Sequence, residues 1–335
     1  MLKPVSTAVI ASALFVFFTS VAAKAADVTL RYAGTLPTSH HVTEGQMKLA
    51  ERVKALTSGA VVIQVFPAGQ LYGAREIPTA VATGGADMGF NLTSVWSTDP
   101  VSEITDVPFL FKDAAHAAKA WDPKGKLFQA FSKQMEKRGL KTVHVTFFGS
   151  LFDFGNNGRA LKGQGDFKGM KIRSYGKLAA EGLRALGASP VTMSPGEMYL
   201  AIQRGTVDGA ITGVTSLQSR KIWEVVKFAT ITGATFGVMA TNISLSKWKS
   251  MKPEHQQALL KAGDEVFRWS VGESVKRDDA AVAFLKQKGV ATLVLTSADK
   301  ANWKKLFAPA IAKWNSRAGK EEKELLAWVE ALAAK

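Results

Sequence analysis

Short apolar runs rich in β-branched residues alternate with amphipathic stretches through most of the chain, and no other feature narrows the fold as much. VTLRYAG (28–34) has the make-up of a strand. TEGQMKLAERVKALTSG (43–59) sets Met47, Ala50, Val53 and Leu56 on one helical face and ends on Gly59, a helix stop. AVVIQVF (60–66) reads as a buried strand, and strand-like runs recur at KTVHVTFF (141–148), GMKIRS (169–174), SPVTM (189–193) and VDGAIT (207–212). That order predicts an α/β fold, because helices that join parallel strands must lie across the faces of the sheet. Near the C-terminus, PEHQQALLKAGDEVFRWSVGESVKRDDAAVAFLKQKG (253–289) predicts one very long helix or two in sequence, begun by Pro253 and Glu254 and stopped by Gly289. A helix of that length runs between domains rather than inside one. The 335 residues suffice for two cores.

Two segments echo each other. ATGGADMGFNLT (82–93) and QRGTVDGAITGV (203–214) each end a helix at a glycine, Gly84 or Gly205, and place an aspartate three residues on, Asp87 or Asp208. Each then enters a strand carrying Asn91 or Thr212. Upstream, each helix follows Gly-Ala and an apolar strand, with Gly59-Ala60 in one case and Gly187-Ala188 in the other. For the second helix, Ser194 is expected as the cap, Pro195 as the first helical residue and Glu197 as the partner in a capping box. Coincidence is one explanation, since helix–glycine–strand is common in α/β proteins; two similar lobes are the other. Ligands of open sheets bind beyond the carboxyl ends of parallel strands, so two lobes would set Asn91 and Thr212 facing each other across a cleft. That geometry belongs to a clamshell binder.

The N-terminus reads differently from the rest. MLKPVSTAVIASALFVFFTSVAAKAADV has a basic Lys3, an apolar stretch from Val5 to Ala23, and Ala23-Lys24-Ala25 as a small-x-small cleavage site. A membrane anchor of about 20 apolar residues is the alternative, but the Ser and Thr content and the cleavage site favour a signal peptide over residues 1–25 and a mature, exported chain from Ala26. No later segment resembles a membrane span, so the mature chain is expected to be soluble. The sequence has no cysteine, which removes thiol nucleophiles, cysteine-ligated zinc, Fe–S clusters and disulfides together. Its formal charge is +15, and losing Lys3 and Lys24 leaves +13. The lysines are interrupted by acids, as in KRDD (276–279) and KEEKE (320–324), without a basic stripe interleaved by aromatics. This is a solvated basic surface and not a nucleic-acid footprint, although it would draw anionic solutes.

Motifs for catalysis are sparse. The five histidines include the neighbours His40 and His41, with His116, His144 and His255 isolated, and none has zinc-ligand spacing. No GxSxG elbow or P-loop occurs, and GQGDFKG (163–169) has the wrong spacing for a dinucleotide fingerprint and precedes its strand. The residue that asks for an explanation is Arg173, at the carboxyl end of the strand in GDFKGMKIRSYG (165–176). Its planar fork matches a carboxylate. From the residues alone, that carboxylate belongs either to a ligand or to a structural partner such as Asp153 or Glu181.

Several blocks in fixed order carry a resemblance: FPAGQLYGAREI (66–77), GGADMGF (84–90), DVPFLFKD (106–113), DFKGMKIRS (166–174), LGASPVTMSPGEMYLAIQRGTVDGA (186–210) and KIWEVVKF (221–228). Across nearly the whole mature chain the sequence resembles the solute-binding subunits of tripartite ATP-independent periplasmic (TRAP) transporters, of the dicarboxylate-binding-protein type. The resemblance implies an α/β, two-lobed periplasmic-binding-protein clamshell with a long helix spanning both lobes. It implies a periplasmic protein that closes on an organic acid and delivers it to small and large membrane subunits driven by an ion gradient. It also implies that Arg173, ending the GxKIR block, pairs with the ligand carboxylate, and that Thr212 stands where many members have Asn. Sialic-acid-type members carry a second arginine six residues before the position of Arg159; Asp153 stands there, between Phe152 and Phe154, which argues against sialic acid.

The expected ligand is a small monocarboxylate, a hydroxy or keto acid, packed on Trp96, Phe152 or Tyr175, aromatics that would serve equally as core or hinge packing. Asn91, Thr93 and His40 complete the candidate set. Lobe I is expected over 26–150 with about 237–278, and lobe II over 151–236 with about 279–335. The protein is expected to act as a monomer without catalysis, cofactor, metal or nucleic-acid partner. The rival functions are a periplasmic enzyme acting on an organic acid in the same cleft and a solute sensor for a signalling receptor.

Overall fold

The computed structural model describes residues 26–334, so the signal-peptide reading of residues 1–25 lies outside the described residues. None of the described helices is long and apolar enough to cross a membrane. Eleven strands form two sheets. The first contains β1 (Val28–Ala33), β2 (Val61–Phe66), β3 (Met88–Leu92) and β4 (Leu140–Leu151), and is completed by a strand that returns late in the chain. The second contains β5 (Asp153–Asn156), β6 (Lys171–Ser174), β7 (Ser189–Thr192), β8 (Gly209–Thr212) and β9 (Phe228–Ile231). The chain then crosses back through β10 (Thr235–Ser244) into the first sheet and ends its strands with β11 (Ala291–Val294) in the second. The strand orders are β2-β1-β3-β10-β4 and β11-β9-β5-β8-β6-β7.

The sequence echo is a topological repeat. In each sheet a strand pairs in parallel with the two that follow it: β1 with β2 and β3, and β6 with β7 and β8. An antiparallel strand, β10 or β5, then closes the far side of the third. The echoed aspartates do the same work in both halves. Asp87 accepts from the backbone N–H of Arg31 at 2.8 Å, and Asp208 from that of Lys171 at 2.7 Å, so each carboxylate fastens the third strand of its unit to the first. Gly84 and Gly205 sit at φ +83° and +68°, just past the helices Ile77–Ala82 and Met198–Gln203, where a left-handed residue ends the helix.

Pro253–Gln287 is a single helix of 35 residues, about 50 Å long at 1.5 Å per residue. Ala258, Leu259, Ala262, Val266 and Phe267 recur at three- and four-residue spacing and bury one stripe, which packs on β4 and the helix His41–Leu56. The C-terminal half instead meets the helix Val214–Ser219 and β11. Between the two, Asp278 accepts from the N–H of Ser150 at 2.6 Å, beside the point where the chain leaves the first sheet. The helix therefore braces both sheets.

Two local readings differ. The second echo helix begins at Met198, not near Ser194; Glu197 still accepts from the Ser194 N–H at 2.7 Å, but this closes a turn ahead of the helix. The chain after 279 also does not stay wholly with the second sheet: β11 belongs to it and the helix Ala308–Arg317 packs on the helix Lys177–Ala185, but the last segments reach the first. Trp314, Leu325 and Val329 bury into the core beside the first, where the Trp314 indole N–H donates to the Pro100 carbonyl at 3.0 Å and His116 meets the Val329 carbonyl at 2.7 Å. Helices this amphipathic need an apolar face to cover, and the helix Lys126–Glu136 supplies part of one.

Candidate ligand-binding cleft

Arg173 is the third residue of β6, in register with Val191 of β7 and Ala210 of β8. Lys171 is exposed and Ile172 buried, yet Arg173 is only 2% exposed because the sheet carries it inward at the strand end. Its Nε donates to the Met193 carbonyl at 3.1 Å and its Nη1 to the Ile211 carbonyl at 2.9 Å. No carboxylate makes an ion pair with it among the described residues. Asp153 accepts from the N–H groups of Thr232, Gly233 and Val214 at 2.8, 3.3 and 3.2 Å, which ties the strand crossings together. Glu181 pairs with Arg184 at 3.0 Å. Neither partner raised for a structural ion pair is engaged with Arg173. Burial, with the Arg220 and Arg75 cations adding to it, lowers the guanidinium to about 9. The site holds a positive charge that the protein does not neutralise.

The arginine lines a cavity between the two sheets, with about 60 Å³ open to the centres of water-sized spheres. At roughly 10–15 Å³ per water by that measure, a compact molecule fills it. Asn91 and Thr212, the paired ends of the echoed strands, both line it, as does Tyr175. Asn91 is held in place, donating to the Ala74 carbonyl at 2.6 Å and accepting from the Leu92 N–H at 3.0 Å. Among the described residues the Tyr175 hydroxyl has no hydrogen-bond partner, and burial, with the Asp106 carboxyl next, raises it well above the usual phenol range.

The other candidates lie elsewhere. Trp96 is buried in the first-sheet core and donates its indole N–H to the Ala240 carbonyl at 2.9 Å. Phe152 packs edge-on to Phe154 and Phe307, and Thr93 shares a hydrogen bond with Thr105 at 2.9 Å. His40 sits one layer behind the cavity, its ring tilted against that of Phe148, which does line it. Burial holds His40 well below the usual histidine range, so the ring is neutral. Its Nδ1 accepts from the Val42 N–H, which leaves Nε2 to donate to Thr215 Oγ1 at 3.1 Å. This bond joins the helix His41–Leu56 to the helix Val214–Ser219 across the cleft.

Sequence reasoning missed Arg75, Phe148, Ser216 and Arg220, all of which line the cavity. Arg75 lay inside a block already singled out. Ser216 and Arg220 are four residues apart and share one face of a helix that starts right after β8, a spacing that could have found both.

The model of the bacterial extracellular solute-binding protein family 7 matches residues 32–317. The chain belongs to this family. Among its relatives is the 2,3-diketo-L-gulonate-binding periplasmic protein YiaO of Escherichia coli, 27% identical over 312 residues that cover 92% of each chain. Another is the C4-dicarboxylate-binding periplasmic protein DctP of Rhodobacter capsulatus, 26% identical over 90% of this chain and 91% of that one. The crystal structure of a TRAP periplasmic solute-binding protein from Desulfovibrio salexigens with bound orotic acid superposes with a TM-score of 0.84 at 27% identity, over 91% and 98% of the two chains. The resemblance seen in the sequence blocks is thereby borne out, and so is the α/β class with its long helix. This family 7 member is a TRAP-type solute-binding protein, from a family of binding proteins rather than enzymes.

Proposed function

We propose that the cleft captures a compact organic acid, holds its carboxylate on Arg173, and presents it in the closed state to the membrane subunits of a TRAP transporter. The observation that carries this is the buried Arg173, oriented by two backbone carbonyls and facing a cavity, with no carboxylate of the described residues paired to it. An oriented guanidinium is matched by a planar anion. Asn91, Ser194, Thr212 and Ser216 surround the same space with hydrogen-bonding groups, which suits a hydroxy or keto acid. Tyr175 and Phe148 supply its aromatic wall in place of Trp96 and Phe152. No Asp, Glu or His lines the cavity among the described residues, which favours capture over acid–base turnover. The names of the relatives above, a diketogulonate binder, a C4-dicarboxylate binder and an orotic acid complex, support an acid as the ligand class.

The two lobes would follow the sheets: 26–150 with the return over about 237–278, and 151–236 with the chain from about 279, less the last helix, Lys320–Ala331, which packs on the first. Export to the periplasm and action as a monomer complete the reading. A thermal-shift screen tests it, because a ligand that binds only the native state raises the melting temperature in proportion to RT ln(1 + [L]/Kd). Small carboxylates are expected to shift the midpoint. A shift by neutral sugars or amines and by no carboxylate would sink the proposal.

A further inference from the structure

Arg220 stands apart from the rest of the cleft. It ends the helix Val214–Ser219 on the second lobe, and its Nη2 reaches across to donate to the Thr35 carbonyl on the first, at 2.6 Å. Its Nε is shut off from solvent and has no hydrogen-bond partner among the described residues. The side chain lines the same cavity as Arg173 and also carries no salt bridge among the described residues. Three guanidiniums therefore line one small space, Arg75 exposed at its edge and Arg173 and Arg220 withdrawn from solvent. Burial lowers Arg220 to about 10, and its charge is the largest electrostatic influence lowering Arg173. A closed cleft with this arrangement and nothing between the cations is disfavoured by their repulsion and by the orphaned Nε.

We infer that Arg220 is a specificity-determining latch, offering Nε to the bound anion while Nη2 locks the lobes together through Thr35. The inference rests on the proposed capture of an organic acid. It adds that ligand charge and closure are coupled through this one side chain. With an acid in place, the anion lies between the cations, the orphaned Nε gains an acceptor, and the Thr35 bond forms only because the lobes have met. A neutral solute of the same shape leaves the repulsion in force, so the cleft favours anions twice, once in contact and once in closure. The fork is essential. A guanidinium reaches an anion and a carbonyl at once from one planar group, whereas a lysine ammonium is a point charge on a flexible stem.

The latch forms after encounter, so its loss is expected in the dissociation rate. The test uses the full mature chain with pyruvate, L-lactate, succinate and orotate as probes, taking forward the acid that binds most tightly by calorimetry. Stopped-flow binding is then compared for wild type, Arg220→Lys, Arg220→Met and Arg173→Met. Both Arg220 variants are expected to dissociate at least about tenfold faster, with association within about twofold of wild type. Their ligand-free melting temperatures are expected to match or exceed that of wild type. Wild-type kinetics in Arg220→Lys would overturn the fork, reducing Arg220 to a long-range charge. Unchanged affinity in both Arg220 variants with a lowered ligand-free melting temperature would make the residue structural and overturn the latch. Either result, combined with lost binding in Arg173→Met, leaves the capture proposal standing. If none of the acids binds wild type, capture and latch fall together.

Discussion

Replacing Arg173 by Met keeps the apolar stem and removes the charge, and two opposing effects can be sized from the structure. The guanidinium is lowered from 12.5 to about 9, so holding its charge in the ligand-free site costs about 5 kcal/mol at roughly 1.4 kcal/mol per unit. Against that relief, the Met193 and Ile211 carbonyls lose their Arg173 donors, at about 1–3 kcal/mol each. The two nearly offset, and urea denaturation of the ligand-free variant is expected to lie within about 3 kcal/mol of wild type. Binding has no such compensation. Breaking a desolvated charge pair costs about 2–5 kcal/mol, so Kd for a bound acid rises from about 30-fold to several thousand-fold by calorimetry. The pH profile supplies a second check. The carboxylate binds the protonated guanidinium, so wild-type affinity stays level from about pH 5, above a small acid's own pKa of about 4, to about pH 8, and falls as the pH rises through about 9, where the ligand-free side chain loses its proton. Unchanged affinity in the variant, together with a loss of stability near that expected for the two carbonyls, would refute the ligand role and leave Arg173 a structural strut.

Two further outcomes follow from other parts of the fold. Asp106 is buried with one oxygen unpartnered and is raised to about 7, chiefly by burial, so between its unfolded value near 4 and 7 the native state binds more protons than the unfolded state. Stability therefore falls as pH rises through that window, and Asp106→Asn is expected to gain about 3 kcal/mol over wild type between pH 5 and pH 8 in urea melts; a gain independent of pH would contradict this. Gly213 has an ordinary φ of −88°, but a Cβ there would lie 2.5 Å from the Ser150 carbonyl oxygen and collide with the ring of Phe148. Gly213→Ala is expected to lose about 1–3 kcal/mol of stability and to weaken acid binding, since Phe148 walls the cavity; calorimetry showing wild-type affinity would refute the link from Gly213 through Phe148 to the cavity.

The strands, helices and echoed turns were legible in the residues because they are local. Strand and helix periods depend on neighbours a few positions apart, and the echoed glycine–aspartate pairs depend on a turn followed by one strand pairing. Arg173 was legible for a related reason, since it ends a strand whose direction fixes where the side chain emerges. The aromatics were not legible in the same way. Trp96 lies just beyond a strand end, in the short helix Thr93–Trp96, but a packing partner 144 residues away, the Ala240 carbonyl, takes its indole N–H and turns it into the core. Phe152 faces Phe307 for the same reason. Arg220 is the converse case. Nothing beside it in the chain marks it, because its partner Thr35 lies 185 residues earlier and the two meet only once two separately folded sheets close on each other. The residues alone marked the strands and helices, an echo between two segments whose meaning they left open, and the charge waiting at one strand end. Tertiary structure decided what faces that charge, because the angle between lobes and the choice of side-chain partner are set by packing between segments that carry no information about each other along the chain.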